Sequence, residues 1–545
     1  MLKRTDFFLL FEDRKNNNNN FLFENPIEKI SGNKKSLEEL FQKIEYHKSK
    51  NRYIAGYLSY DYNAEFYIFE KVIELTNKEL DEYFKNIDKE SYIYNFKPRI
   101  SKNNYIKKLK KLKQYLKNGE TYQTNFTFLS DFNFTEDSLT LYKGLREKQI
   151  VEYGAFLNLE DKEIISLSPE LFLEKRGEVL ISKPMKGTLK SDGIQNDNYY
   201  INQMKNDKKM ISENLMIVDL LRNDLTKISK PATVEVENIF EVQKFKTLYQ
   251  MISTIKSKVK QDIKFKDVIE AMFPCGSITG APKIRTMEII NELEDDKRGI
   301  YTGIIGFITP NNDFTFNIAI RTIISQKKSN IGVLGIGGGI LYDSDIESEW
   351  EEALLKSKFL RSLNDDITIL ETIRLKDDGT PEYLDEHNKR LNRSLDFFST
   401  EKKRVKFKRR DKKFNEQPKI ILISKNRIDQ DSIFRRHKTS KRELYNMEYE
   451  NIKDRYIDII YFNKKDNLAE ASRHNVYIQV KDKIFTPFID DGALPGIIRE
   501  LLLKKKIVIE RRIDLDLFKK AEKVYLSNSI NGFFEVELDE NLYNR

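Results

Sequence analysis

The chain has 545 residues, with 95 Lys and Arg against 86 Asp and Glu, a net charge of +9, and 39% hydrophobic residues. This length exceeds one ordinary core and predicts two or more domains, while the modest basic excess suits an anionic small molecule rather than nucleic acid. No run of about 18 apolar residues marks a membrane span, and one cysteine, Cys275, excludes an internal disulfide and fits a reducing compartment.

The N-terminal MLKRTDFFLLFEDRK has too short an apolar core for a signal peptide, so a soluble, cytoplasmic protein is expected. The Asn16–Asn20 run reads as a surface loop. Short aromatic runs at Phe7–Phe11, Tyr53–Tyr60 and Ser91–Phe96 read as strands. Tyr105, Leu109, Leu112 and Leu116 share one helical face, predicting a helix over Asn104–Asn118 that Gly119 ends. Strands follow at Tyr122–Ser130, Ala155–Leu159, Ile164–Leu167 and Leu171–Glu174, then helices at 195–225, 265–272 and 280–294. Strands return at 300–308, 314–325 and 331–340, before a helix at 347–362. Strands and helices without regular alternation predict an α+β class. The texture changes after Leu363, which sets domains at 1–364 and 365–545.

Four stretches carry chemistry. Lys186 stands in Lys-Pro-Met-Lys-Gly-Thr, a tight Gly-bearing turn, where a lysine acts as an amine nucleophile once its pKa falls toward neutrality. SENLMIVDLLRNDL (212–225) places Glu213 at the head of an apolar helix. GSITGAPKIRTMEIINEL runs from Gly276 to Leu293. NIAIRT, GIGGGI and DSDIESEWEEAL lie between Asn317 and Leu354, and Glu349 and Glu352, three apart, project from one helix face. Carboxylates without nearby histidines or thiols suit a hard cation, hence Mg²⁺. Cys275, in Phe-Pro-Cys-Gly-Ser with no histidine beside it, reads as a structural thiol.

Together these motifs resemble the chorismate-utilising enzymes, the family of anthranilate and isochorismate synthases, over about residues 50–362. The resemblance implies two facing antiparallel sheets surrounded by helices, with the site between them. It implies that Glu213 and Glu352 ligate Mg²⁺ directly and Glu349 through water. A further acid is usual three residues before Glu213, where this chain has Met210. By the same resemblance Glu170 protonates the leaving C4 hydroxyl. Lysine at 186, where anthranilate synthases have alanine, implies attack at C2 followed by ammonia at C4, giving 4-amino-4-deoxychorismate on the way to 4-aminobenzoate and folate. Gln123 replaces the lysine with which isochorismate and salicylate synthases activate water. Tyr301 and Arg321 match residues that grip a substrate carboxylate. Gly337, Gly338 and Gly339 offer backbone N–H groups and room, and Thr188 and Ser277 complete the pocket. Lys283 and Arg285 read as pins for their helix. No Gly-x-Cys-x-Gly elbow is present, so a separate glutamine amidotransferase subunit is the expected ammonia source. The alternative is an anthranilate synthase component I.

Five further motifs, at 370–398, 435–445, 467–478, 486–503 and 524–536, resemble the fold-type IV pyridoxal-phosphate enzymes. This implies a smaller α+β domain in which Lys438 forms the Schiff base and Glu470 pairs with the pyridinium nitrogen. Arg390, Gly496 and Ile497 would hold the phosphate, with Ser527 or Ser529 nearby. The implied activity is a lyase releasing pyruvate; a catalytically silent scaffold is the alternative. Only 44 residues separate Arg393 from Lys438, so a helix of this domain is expected to be missing. The basic run Lys402–Lys413 reads as an exposed strand pair or loop, with a polyanion patch as its alternative.

Overall fold

The computed structural model describes residues 7–15, 20–190, 196–244, 248–411, 414 and 419–539. The chain divides into two compact units, Met1–Leu363 and Asn364–Arg545.

Among the described residues, the first unit is built on two ten-stranded antiparallel sheets. One includes Gln123–Phe134, Ile331–Ile340, Thr322–Gln326, Lys162–Ser168, Tyr153–Asn158 and Phe8–Glu12, in that order. The other includes Met185–Lys190, Leu248–Lys258, Val179–Lys183, Leu171–Arg176, Phe314–Ile318, Ile304–Ile308 and Tyr53–Leu58. Strand alternation explains how they face each other. In Phe8–Glu12, Phe8 and Leu10 join an outer core with helices, while Leu9 and Phe11 join a cluster that contains Tyr57, Phe69 and Phe307 of the other sheet. Both faces of that strand are buried.

The helix Lys102–Lys117 covers the outer face of the first sheet. Ser101 caps it by accepting from the Asn104 N–H at 3.3 Å, and Tyr105, Leu109, Leu112 and Leu116 are its buried stripe. Each such side chain contributes about 1.5–3 kcal/mol on burial. Trp350, on the helix Ile346–Leu355, stacks on Phe128 of the sheet at 5.3 Å and meets Tyr105 at 5.1 Å. That packing fixes the helix bearing Glu349 and Glu352.

The chain passes between the sheets at two adjacent places, through Pro169–Glu170 and through 319–321. These crossings bond to each other: the Ile318 N–H donates to the Glu170 carbonyl at 3.0 Å, and the Leu167 N–H to the Arg321 carbonyl at 3.1 Å. Glu170 and Arg321 are thereby held where the sheets meet.

Several sequence expectations are corrected. The strand expected over 314–325 is two strands in different sheets, broken where Arg321 adopts φ 50°. The helix expected over 195–225 is two, Asp197–Asn206 and Lys208–Thr226, because the Asp207 carboxylate accepts from the N–H groups of Lys209 and Met210 and starts a new helix. Glu213 therefore lies inside a helix rather than at its head. Lys186 is not in a turn but on the strand Met185–Lys190, whose register shifts between Lys186 and Thr188. Gly187 supplies φ 83° at this bulge. Asn20 is no loop residue: it is buried in the strand Asn20–Phe23, its amide donating to the Leu75 carbonyl at 3.1 Å. Positions 16–19 lie outside the described residues.

The second unit is also α+β. An eight-stranded mixed sheet includes Leu468–Ala471, Asp458–Asn463, Ile420–Ile428, Gly532–Leu538, Lys523–Asn528 and Asn475–Val480 among its described strands. Ile460, Phe462, Val476, Ile478 and Leu526 fill one core. A separate parallel pair, Ile369–Arg374 and Lys403–Lys408, carries the helix Leu384–Phe398 on the first of its strands.

Candidate active site

In the first unit the bulge at Gly187 turns Lys186 toward the crossings. Its Nζ donates to the Ser277 carbonyl at 2.8 Å. Burial pushes the Lys186 ammonium below its ordinary range, against the pull of Glu170 and Glu213, while Lys356 adds to the lowering. Glu170 is buried, and burial raises its carboxyl, opposed by the Ser277 hydroxyl, the Lys186 charge and the Met185 amide. Its Oε1 has no hydrogen-bond partner. A desolvated amine and a raised carboxyl in one buried site have the protonation states that nucleophilic attack and acid catalysis require.

Gln123 lies at the same place. A Cβ added to Gly339 would stand 2.7 Å from the Gln123 Nε2 and 3.7 Å from the Lys186 Nζ. One on Gly338 would face Glu349 Oε2 at 3.4 Å, Lys356 Nζ at 3.5 Å and Glu352 Oε1 at 3.9 Å. These two glycines therefore make room at the site. Gly337 does not: its missing side chain faces the neighbouring strand, 2.3 Å from the Phe126 carbonyl, and its own carbonyl accepts from Lys356 at 2.7 Å.

Arg321 is desolvated, and burial lowers its guanidinium to about 10. No carboxylate among the described residues forms an ion pair with it, leaving its fork for an outside anion. Tyr301 is buried with its ring against the bare face of Gly335, where a Cβ would stand 2.2 Å from it. Thr188 is on the Lys186 strand; its side chain lies outside the described residues.

Glu213, Glu349 and Glu352 meet through two lysines. Lys209 Nζ lies 4.0 Å from Glu213 and 3.9 Å from Glu349, and Lys356 Nζ lies 3.2 Å from Glu352. Burial and mutual repulsion raise Glu213 and Glu349, whereas Lys356 lowers Glu352. Oxygen donors that repel one another suit a hard dication, and with no cation between them no three such side chains among the described residues stand in one coordination sphere. Met210, in place of an acid, packs 3.3 Å from the Cβ position of Gly187. The sequence reading missed both lysines; their i,i+4 spacing from Glu213 and Glu352 was the available signal.

Cys275 is buried and its thiol is pushed up to about 11 by that burial, as suits a structural thiol. Lys283 binds Asp224 at 2.5 Å and Arg285 binds Glu120 at 2.6 Å, so both pin their helix.

In the second unit Arg390, Lys438, Glu470, Gly496, Ile497, Ser527 and Ser529 all line one cavity of ≈ 980 Å³. Burial, with Arg390, Arg442 and Arg473 nearby, lowers Lys438 to about 8. Glu470 accepts from the Tyr445 hydroxyl at 2.8 Å and the Leu494 N–H at 3.0 Å. Arg390 is oriented by Glu371 through two bonds of 2.8 and 2.7 Å, and it donates to the Pro495 carbonyl at 3.2 Å. Burial works to raise Glu371, but hydrogen bonds from His387 and Arg390 outweigh it and hold the carboxyl at about 2. Gly496 precedes the helix Ile497–Lys504 and fits closely against Asn475, leaving no room for a Cβ. Ser527 shares a 2.6 Å bond with the Tyr477 hydroxyl, and Ser529 donates to the Thr372 carbonyl at 3.0 Å. Tyr445 and Glu371 escaped the sequence reading, since nothing local marks a residue that acts by holding another.

No helix among the described residues is long and apolar enough to cross a membrane. The fold is similar to that of anthranilate synthase component I from Streptococcus pneumoniae, with a TM-score of 0.55 and 23% identity over 66% of this chain and 93% of that one. The chain is 38% identical over 298 residues to the chloroplastic aminodeoxychorismate synthase of Arabidopsis thaliana, 53% of this chain and 32% of that one. It is 35% identical over 264 residues to aminodeoxychorismate synthase component 1 of Bacillus subtilis, 48% of this chain and 56% of the relative. The chain thus spans between about a third and just over half the length of these relatives. Residues 405–538 match the class IV amino-transferase family. Residues 69–362, more than half the chain, match the chorismate binding enzymes, and to that family this protein belongs.

Proposed function

We propose that residues 1–364 convert chorismate and ammonia to 4-amino-4-deoxychorismate and that residues 365–545 remove pyruvate from it to give 4-aminobenzoate. The observation that carries the first step is the desolvated Lys186 amine beside the buried Glu170 carboxyl. The relatives bearing the name aminodeoxychorismate synthase support the same reading.

Arg321 and Tyr301 hold a substrate carboxylate between the sheets. Mg²⁺ at Glu213, Glu349 and Glu352 would supply a Lewis-acid anchor for the ring carboxylate. Lys186 Nζ forms a bond to C2, the ring double bond shifts, and the C4–O bond breaks. Glu170 delivers its proton to the departing oxygen, which leaves as water. Ammonia then bonds to C4, the double bond returns, and the C2–N bond to Lys186 breaks as the amine recovers its electron pair. Gln123 has no basic nitrogen with which to activate water, which disfavours hydroxylation at C2. Ammonia is scarce beside ammonium at neutral pH, and the "component 1" relatives support a separate glutamine amidotransferase subunit as its source.

In the second unit the residues fit pyridoxal phosphate: an oriented arginine and a glycine-led helix start for a phosphate, a desolvated lysine, and a buried carboxylate on one cavity. When bound, the cofactor supplies an electron sink. Lys438, neutral in part near pH 8, holds and moves the proton at the substrate's C4 amine carbon, and Tyr445 and the Leu494 N–H fix Glu470 for the ring nitrogen.

Purified protein incubated with chorismate, Mg²⁺ and an ammonium salt, with products identified by mass spectrometry, tests the whole reading. 4-Aminobenzoate and pyruvate are expected. Accumulated 4-amino-4-deoxychorismate would make the second unit a silent scaffold, and anthranilate would overturn the assignment of Lys186.

A further inference from the structure

The first part of the basic run, the strand Lys403–Lys408, has every residue exposed. It runs parallel to Ile369–Arg374 with Thr372 opposite Lys406 and Arg374 opposite Lys408. Strand alternation sends Val405 and Phe407 to one side and Lys406 and Lys408 to the other. Lys406, Lys408 and the adjoining Arg409 line the ≈ 980 Å³ cavity, as do Leu370 and Thr372 of the partner strand. Arg473 lines the same cavity, its guanidinium carbon 3.8 Å from the centroid of the Tyr449 ring.

The cofactor's phosphate accounts for Arg390 and the helix start at Gly496, but not for these cations. Among the described residues, Lys406, Lys408, Arg409 and Arg473 form no ion pair with a carboxylate. The acids of the cavity wall do not balance them: Glu470 already accepts from Tyr445 and Leu494, and only Asp411 and Asp454 remain. A concave wall with such an excess of positive charge concentrates anions. Alternate residues on one face of a strand stand roughly 6.6–6.8 Å apart. Two ammoniums carried at that interval along one wall, with Arg409 and Arg473 beside them, can meet two carboxylates on one small molecule.

We propose that Lys406 and Lys408, with Arg409 and Arg473, form the wall that selects a dicarboxylate substrate for the C-terminal cavity. This rests on the cofactor reading above and adds the residues that set specificity. The basic run is then neither an idle surface nor a nucleic-acid patch.

The test uses the full chain loaded with pyridoxal phosphate and titrated with isophthalate, a ring with two carboxylates, and benzoate, with one. The cofactor's visible band reports binding at this cavity alone. The unmodified protein should bind isophthalate at least about tenfold more tightly than benzoate, as one added charge-assisted contact supplies, and salt should weaken that preference. Lys406→Ala with Lys408→Ala should abolish the preference while leaving the cofactor band and cofactor affinity unchanged, and Lys406→Arg with Lys408→Arg should retain it. Equal binding of the two ligands by the unmodified protein, or an unchanged preference in the alanine variant, would overturn the proposal. An unmodified protein that takes up no cofactor would instead fail the reading beneath it, and shows this before any variant is made.

Discussion

The Lys186 amine donates to the Ser277 carbonyl across 2.8 Å, and the Ser277 side chain acts on the Glu170 carboxyl. One residue of the Gly276–Ile278 turn thus touches both groups that the proposed mechanism uses. The amine must be neutral to attack, and its lowered pKa brings that form within reach as pH rises. The carboxyl must be protonated to donate, and its raised pKa preserves that form until pH rises through it. A bell-shaped rate profile follows. Glu170→Gln should lower kcat by about 10²–10⁴-fold and remove the alkaline limb. A variant that keeps this limb would assign it to another group.

The carboxylate cluster predicts a metal dependence. Glu352→Gln removes the carboxylate charge and leaves Lys356 without its anionic partner at 3.2 Å. The Mg²⁺ concentration for half-maximal rate should rise by more than about tenfold, the scale on which even outer partners of a metal act. An unaltered magnesium titration would mean that these carboxylates hold no metal.

Gly339→Ala should cost rate without costing the fold. The new methyl would stand 2.7 Å from the Gln123 amide nitrogen, the movable end of a side chain, and would crowd the Lys186 amine at 3.7 Å. Turnover should fall at least about tenfold, since a misplacement of an ångström is expensive in catalysis, while the thermal midpoint changes little. A drop in the midpoint with kcat intact would place Gly339 in packing alone. Gly337→Ala should do the reverse, because its Cβ would strike the Phe126 carbonyl.

His437 gives the second unit an acid-sensitive element. It is buried, 2.9 Å from the Ser394 hydroxyl and stacked on Phe397 at 4.2 Å, and burial lowers it to about 4. Its unfolded value is about 6.5. Between the two the unfolded chain binds the extra proton, so stability falls as pH drops from about 6.5 to about 4, by up to roughly 3 kcal/mol. His437→Phe should flatten that part of the unfolding profile, measured by denaturant titration at several pH values. An unchanged slope would assign the acid sensitivity elsewhere.

The helix stripe Tyr105, Leu109, Leu112 and Leu116 was legible because a single amphipathic face carries its own period. The break at Arg321 was not: an unbroken apolar stretch gives no sign that its halves join different sheets, since that depends on the partner crossing at Glu170. The role of Gly337 was misread for the same reason, because three successive glycines look alike until the neighbouring strand is in place. The C-terminal cavity residues were found through their motifs. Glu371 and Tyr445, which orient Arg390 and Glu470, are ordinary in sequence and become visible only through distances.

In the proposed mechanism Lys186 becomes covalently attached to the substrate. Chorismate and Mg²⁺, added without ammonia, followed by rapid quenching and intact-protein mass spectrometry with peptide mapping, test it directly. A mass increase of chorismate less one water is expected on the peptide containing Lys186, absent in Lys186→Ala and discharged when ammonia is added. Formation of 4-amino-4-deoxychorismate at an undiminished rate by Lys186→Ala, with no adduct on the unmodified protein, would contradict it.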